Sequence, residues 1–344
     1  MQEKEYVGID LHRRRSVIVR RSEKGETLAV TQVCNDDLAS FARAVLDAGE
    51  HPDVVLEATY GYYWALDWLK DLGATVHLAH PLGNNWGNRR VKDDVADATD
   101  LADLYRLGRL ATAWIAPREI RELRELVRYR AKLVCLRTNL KLQVHSVLAK
   151  EGVTVPMQDL FGTGGQKLLD SCGLAPAYRA RLESLRRLIT GFDAEVGRLE
   201  AEIQKALKAD VGYRAIKAIP GVGPVIAAIF VAEIGDVTRF SSPAKLCSWV
   251  GLSPRRRQSD AKVYTGSITK MGSRLVRWAA VEAAQRQAAG TKLRADFARL
   301  SSAHGATTAA RKVARVAVAR KILTLVYYGL RDGTIRSKAI VAAA

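Results

Sequence analysis

Three short Val- and Ile-rich segments near the start of the chain, separated only by polar turns, give way to strictly alternating strand and helix patterns. That order restricts this part of the chain to an open sheet. Residues 6–10, 16–21 and 27–33 read as the strands of a meander. A helical stretch over 37–48, an apolar strand over 54–58, a helix over 63–72 and a strand over 75–79 follow. An antiparallel meander continued by β-α-β-α units predicts a mixed sheet covered by helices.

From residue 118 to about 150 the pattern is helical without Pro or Gly, and Leu126, Leu133, Leu140 and Val147 recur every seven residues. Leu182, Leu185, Ile189, Phe192, Val196, Leu199 and Ile203 alternate steps of three and four, laying an apolar stripe along a second long helix. Together they predict an antiparallel coiled-coil hairpin, either an intramolecular spacer or a dimerisation arm, since heptads do not fix the partner. Residues 152–177, with Pro156, Gly162, Gly164, Gly165 and Pro176, read as a loop-like connecting tip. Beyond Asp210 short Ala-rich helices broken by glycine mark a third unit. The predicted organisation is a catalytic domain over 1–115, a coiled-coil region over 116–209 and a mostly helical C-terminal domain over 210–344.

Charge narrows the partners. Lys and Arg number 54 against 36 Asp and Glu, a net charge of +18, so nucleic acid leads the candidate polyanions. The absence of an apolar run of ~18 residues, or of a leader-like apolar segment, predicts a cytoplasmic, nucleoid-associated protein rather than a membrane one. Cys34, Cys135, Cys172 and Cys247 lie far apart and the histidines are scattered, so neither disulfides nor a zinc site is expected. His77 and His80 read as structural.

Acidic residues stand where strands end. Asp10 closes Val7-Gly8-Ile9-Asp10 and Glu57 closes Val54-Val55-Leu56-Glu57, while a helix starting near Asp93 carries Asp94 and Asp97 on one face. Clustered carboxylates repel unless cations lie among them, and hard oxygen ligands suit Mg²⁺ or Mn²⁺, a pairing used in phosphoryl transfer. Taken singly, strand-end acids are common and an acidic helix start compensates the macrodipole. Asp93, Asp97 and Asp100 also share a face and Asp103 extends the run, so spacing alone leaves the helical pair open.

Further on, Ile219-Pro220-Gly221-Val222-Gly223-Pro224 between two apolar segments is a helix-hairpin-helix pattern. Gly221 and Gly223 permit a tight turn and close approach of a phosphate to a helix N-terminus, although an ordinary interhelical turn has the same signature. Gly251-Leu252-Ser253-Pro254 leads into a serine loop containing Arg255, Arg256, Arg257, Ser259, Lys262, Lys270 and Arg274, and seven basic residues face one acid between positions 253 and 277. A serine there is suited to attack a phosphodiester, with Ser253, Ser259 and Ser267 equal on chemistry, and turn solvation as the ordinary role. Residues 304–331 read as a basic helix packed by one face through Val313, Val316, Ile322, Leu323 and Val326.

In order and spacing these segments, together with Leu56-Glu57-Ala58-Thr59-Tyr60-Gly61, Lys92-Asp93-Asp94-Val95-Ala96-Asp97-Ala98 and Gly266-Ser267-Ile268-Thr269-Lys270-Met271-Gly272, resemble the DEDD transposases of the IS110 insertion-sequence type over nearly the whole chain. The resemblance implies a ribonuclease-H-like (RuvC-like) catalytic domain and a C-terminal transposase domain. It selects Asp10, Glu57, Asp94 and Asp97 as the metal-binding acids and Ser259 as the nucleophile. It further implies DNA strand transfer through a phosphoserine-linked end, a bridge RNA that pairs with donor and target DNA, and homodimers that pair into tetramers with one protomer's serine completing another's acidic site. Members usually carry glycine after the serine, where this chain has Asp260. Rival readings are a hydrolytic RuvC-type junction nuclease, which needs no serine, and a non-catalytic nucleic-acid-binding protein, which leaves the acids unexplained. A sugar kinase or actin-like ATPase would need Gly-rich phosphate turns in a second related half, and these are missing.

Overall fold

The structure, a computed structural model, describes residues 3–84, 93–260, 262–303 and 305–335. The chain divides into two compact units, Met1–Ile115 and Ala116–Ala344.

In the first unit, β1 (Glu5–Leu11), β2 (Arg15–Ser22) and β3 (Thr27–Cys34) form the meander, followed by α1 (Leu38–Leu46), β4 (Asp53–Glu57), α2 (Tyr63–Asp71), β5 (Thr75–Ala79) and α3 (Asp94–Arg106). The strands make one sheet in the order β3-β2-β1-β4-β5. Pairing is antiparallel within the meander and parallel from β1 through β4 to β5, a mixed α/β layout consistent with a ribonuclease-H-like domain. Side chains alternate across each strand. Val7, Ile9, Val54, Leu56, Val76 and Leu78 therefore share one face, where Phe41 of α1 and Leu66 and Leu69 of α2 close a core. The intervening positions face α3, whose Ala98 packs on Val17 and Val19 and whose Leu101 packs on Val55 and Ala79. Gly8 is required by that contact, because a Cβ there would lie 1.9 Å from the Ala98 carbonyl oxygen. Thus α3 rests directly on the backbone of β1.

At the opposite end of the strands, Asp53 pairs with Lys4 at 2.7 Å and accepts from His77 Nε2 at 2.8 Å and from the Tyr105 hydroxyl at 3.2 Å. The His77 ring stacks on Tyr105 at 4.0 Å, and His80 Nδ1 accepts from the Gly83 N–H. Both histidines are structural, as expected. The four cysteines are free, Cys172 and Cys247 being buried. Among the described residues no helix is long and apolar enough to cross a membrane.

The second unit opens with α4 (Arg118–Lys150) and α6 (Pro176–Ala206), which pack along each other. Leu133 of α4 meets Val196 and Leu199 of α6 midway. The stretch between them departs from the expected loop: it contains α5 (Thr163–Ser171), whose Leu169 joins Leu160, Val144, Val147 and Leu182 in a local core. Its glycines signal a break in the sequence, yet Gly165 serves packing, since a Cβ there would lie 1.9 Å from the Leu160 carbonyl oxygen.

There follow α7 (Val211–Ile216), α8 (Pro224–Ile234), α9 (Pro243–Trp249), β6 (Pro254–Ser259), β7 (Lys262–Ile268), α10 (Arg274–Gln285), α11 (Lys292–Ala303) and α12 (Thr308–Asp332). The serine loop is thus a two-stranded antiparallel hairpin. Helix α8 is buried from Ile226 to Ile234 on all sides. Helix α12 is the expected basic helix, but it is buried on more than one face. Ala310, Ala314, Val318, Ala319 and Tyr327 are buried beside Ile322, Leu323 and Val326, whereas Val313 is 55% exposed. The small alanines let α10 and α11 approach, which an apolar-stripe reading overlooks. His304 lies outside the described residues. Glu233 of α8, 5% exposed, is held by Arg128 of α4 at 2.6 and 3.1 Å and by the Ser273 hydroxyl, which caps α10, at 3.0 Å.

Candidate active site

The register of the sheet brings the first two acids together. Ile9 pairs with Leu56 across the parallel β1–β4 ladder, so Asp10 and Glu57, each one residue further on, stand side by side on the opposite face. That face is the one covered by α3: Asp10 is paired with Val17 and Glu57 with Ala79, both of which contact α3 side chains. Asp94 and Asp97 form the acidic first turn of α3, and their charges act on Asp10. Of the rival acids, Asp93 is the N-cap and accepts from the Val95 N–H. Asp103 is bound by Arg21 and Arg106. Lys92, the first residue of the motif, lies outside the described residues.

A histidine joins the acids. His12 Nε2 lies 3.0 Å from Asp10 Oδ2 and 3.2 Å from Asp94 Oδ1, and ligand atoms of Asp10, His12 and Asp94 fall within 4.8 Å of one another. Glu57 and Asp97 are not in this tightest group. The scattered-histidine reading missed His12; the signal available was its i, i+2 spacing from Asp10, which keeps both on one face of an extended strand.

Burial raises the Asp10 pKa; His12 opposes the rise, and Asp94 and Asp97 add to it. Asp10 Oδ2 is buried, with His12 Nε2 as its neighbour at 3.0 Å. A desolvated carboxylate beside a second carboxylate and an imidazole nitrogen, with ligand atoms within 4.8 Å of one another, fits a divalent cation, which favours the ionised form.

In the second unit, Ser259 is the last residue of β6 and pairs with Lys262 across the turn. Every residue of β6 is exposed, and among the described residues the Ser259 hydroxyl has no hydrogen-bond partner. Arg257 faces Tyr264 across the same ladder. Below the hairpin, Gly272 and Gly251 have positive φ, and a Cβ on Gly272 would lie 1.8 Å from the Trp249 carbonyl oxygen. The Thr269 and Lys270 amides donate to the Ser253 and Gly251 carbonyls. The Gly-Leu-Ser-Pro and Gly-to-Gly segments therefore clasp the hairpin base.

Both units have known counterparts. A DEDD model of the IS110 type, described as "Transposase", matches residues 7–151, and a model described as "Transposase IS116/IS110/IS902 family" matches residues 213–298. The chain belongs to the IS110-type DEDD transposase family. It is 28% identical over 225 residues to a "Probable family 20 transposase" of Pseudomonas aeruginosa, covering 63% of this chain and 65% of the relative. To a transposase for insertion sequence element IS1111A of Coxiella burnetii it is 25% identical, over 65% of this chain and 62% of the relative. A transposase for insertion sequence element IS1328 of Yersinia enterocolitica is 23% identical over 81% of this chain and 82% of its own length. The chain thus spans a little under two thirds of the first two relatives.

For this IS110-type chain the Asp260 departure has a backbone explanation. Asp260 follows β6 with φ of 51°, the left-handed region that favours glycine and that Asp tolerates better than most side chains. The expected nucleic-acid residues divide by position. Arg255, Arg256, Arg257 and Lys262 are exposed on the hairpin, and Lys270 is exposed at its base. Arg274 instead sits at the start of α10 beside an apolar groove lined by Val134, Ile203, Val225 and Trp278. Gly221, with φ of 81°, faces α10, where a Cβ would lie 2.4 Å from the Ala283 carbonyl oxygen. Gly223 caps α8 with open space beside it, so of the two glycines it is the accessible one.

Proposed function

We propose that this chain is an insertion-sequence transposase that cuts and exchanges DNA strands with a metal-binding acidic site and Ser259 as nucleophile, guided by a bridge RNA. The observation that carries the reading is the convergence of Asp10, Glu57 and the first turn of α3 on one face of the sheet. Asp10, Glu57, Asp94 and Asp97 are the residues that would hold Mg²⁺ or Mn²⁺. When bound, such ions supply charge neutralisation at the scissile phosphate. Ser259 Oγ forms the bond to phosphorus, the phosphodiester bond to the departing strand breaks, and the serine proton ends on the departing oxygen. A hydroxyl of the incoming strand then attacks the phosphoserine, releasing Ser259.

The exposed basic hairpin supports this role, since Arg255, Arg256, Arg257 and Lys262 flank the serine with cations that suit a phosphate backbone. The accessible Gly223 and the N-terminus of α8 support a helix-hairpin-helix contact to phosphate. The packed pair α4 and α6 supports the intrachain hairpin, and the pairing of homodimers into tetramers is carried over from the family. Ser259 and the acids belong to different compact units, which suits a site completed by another protomer.

The test is a cleavage assay with purified protein, Mg²⁺, labelled DNA carrying the element's ends, and RNA transcribed from its flank, comparing wild type with Ser259→Ala. A denaturation-resistant protein–DNA adduct that requires RNA and vanishes in the variant is expected. Free nicked product at undiminished rate in the variant replaces this reading with a hydrolytic junction nuclease.

A further inference from the structure

A pocket of about 700 Å³ opens in the first unit where β1 turns into β2, lined by Arg13, Arg14, Arg15, Asn35, Asp36 and Trp64 among others. Arg13 and Arg14 form the turn between β1 and β2, immediately after His12, and Arg15 opens β2. All three are exposed, and among the described residues none is in an ion pair. One carboxylate, Asp36, faces them. The Asn35 amide donates to the His12 carbonyl at 2.7 Å, and its oxygen accepts from the Ser16 hydroxyl. The pocket is thus joined to the acidic cluster through His12, which precedes the arginines in the chain and is held by Asn35. Trp64 stands edge-on to Phe41 at 6.1 Å, which fixes its ring while leaving it 39% exposed.

We infer that this pocket binds an unpaired nucleotide of the DNA strand whose phosphate lies at the acidic site. The inference rests on the proposed function for the identity of that strand. Unpaired arginines supply phosphate contacts, and a fixed aromatic face inside a pocket takes a base only when that base is out of a duplex. The volume suits a nucleotide-sized ligand. Arg13 is three residues from Asp10, at most ~10 Å along the chain, so the bound nucleotide lies within a few positions of the scissile phosphate. The pocket thus holds one side of the break open and in register for attack.

The test uses the full chain and oligonucleotides carrying 5-iodouracil at successive positions around the cleavage point, irradiated without metal so that no cleavage is needed. Single-stranded DNA is expected to give an adduct on Trp64. The double variant Arg13→Ala, Arg14→Ala should lower the Trp64 adduct yield roughly tenfold, and in a binding titration with the same oligonucleotide Trp64→Leu should weaken affinity roughly tenfold, whereas Trp64→Phe, which keeps a stacking face, should retain it. Adducts confined to residues 116–344, equal Trp64 yields from duplex, or preference for an oligoribonucleotide of the same sequence overturn the inference. Failure of the proposed function is read separately, as absence of cleavage by wild type in the metal-containing assay.

Discussion

Replacing Gly8 by alanine probes the contact on which the acidic site is built. The added Cβ would stand 1.9 Å from the Ala98 carbonyl oxygen and 2.9 Å from the Ala102 nitrogen. Both are helix backbone, so no side chain can swing aside. Restoring ordinary contact at about 3.5 Å requires α3 to retreat by roughly 1.6 Å. Overpacking of this kind costs about 1–3 kcal/mol, which for a unit of this size lowers the midpoint of thermal unfolding by roughly 4–15 °C. The functional loss should be larger, because Asp94 and Asp97 ride on α3 and a misplacement of ~1 Å lowers rates about a hundredfold. Calorimetry of the metal-free chain and the labelled-DNA cleavage assay read the two effects. Gly191→Ala in α6 is the control: no atom lies near its Cβ position, and the change should stabilise by about 0.4–1 kcal/mol. A Gly8→Ala protein melting within about 1 °C of wild type and cleaving within about twofold of it would refute the reasoning.

Divalent metal should raise the melting temperature of wild type, by the equivalent of about 2.7 kcal/mol at a hundredfold excess over the dissociation constant, and Asp10→Asn should abolish that shift while itself stabilising the metal-free chain, since burial penalises the Asp10 charge. Asp53 feels a burial penalty, but Lys4 and His77 outweigh it and hold its carboxyl below the ordinary value. Its stabilisation is complete above the ordinary carboxylate range and is lost as pH falls through the lowered value. The stability gap between wild type and Asp53→Asn should therefore be full at pH 7 and close on acidification, and a gap unchanged down to about pH 2 counts against the pairing. At the hairpin turn, Asp260→Gly should leave strand transfer intact, whereas Asp260→Val should strain the turn by about 1–2 kcal/mol and slow adduct formation, with equal rates for the two variants showing that the turn conformation is immaterial.

Much of the first unit is legible because each signal is local. The strand over residues 75–79 and its neighbours follow from period-two alternation, and Asp37 and Asp93 mark helix starts as side-chain caps. The convergence of Asp10 with Glu57 follows once β4 is placed parallel beside β1. What sequence reading misses depends on partners distant in the chain. His12 gains meaning only when Asp94, eighty-odd positions later, arrives beside it. Gly165 looks like a break until Leu160 is seen against it, and the arginine-rich run over 255–257 looks like a loop because neither strand of an exposed hairpin carries the half-buried alternation that marks a sheet.

Helix α12 has a bearing on how the protein is made. It lies late in the sequence, yet its buried residues share a core with Ile219, Ile226, Phe230 and Val276, and it contacts α7, α9, α10 and α11. A nascent chain leaving the ribosome completes the core of the first unit within its first 115 residues, since that core needs nothing downstream. The second unit has no such early closure. Until residues 308–332 emerge, the surfaces of α7, α9 and α10 that α12 packs against stay uncovered, so a message truncated in that interval yields a folded acidic domain joined to a sticky, protease-sensitive remainder.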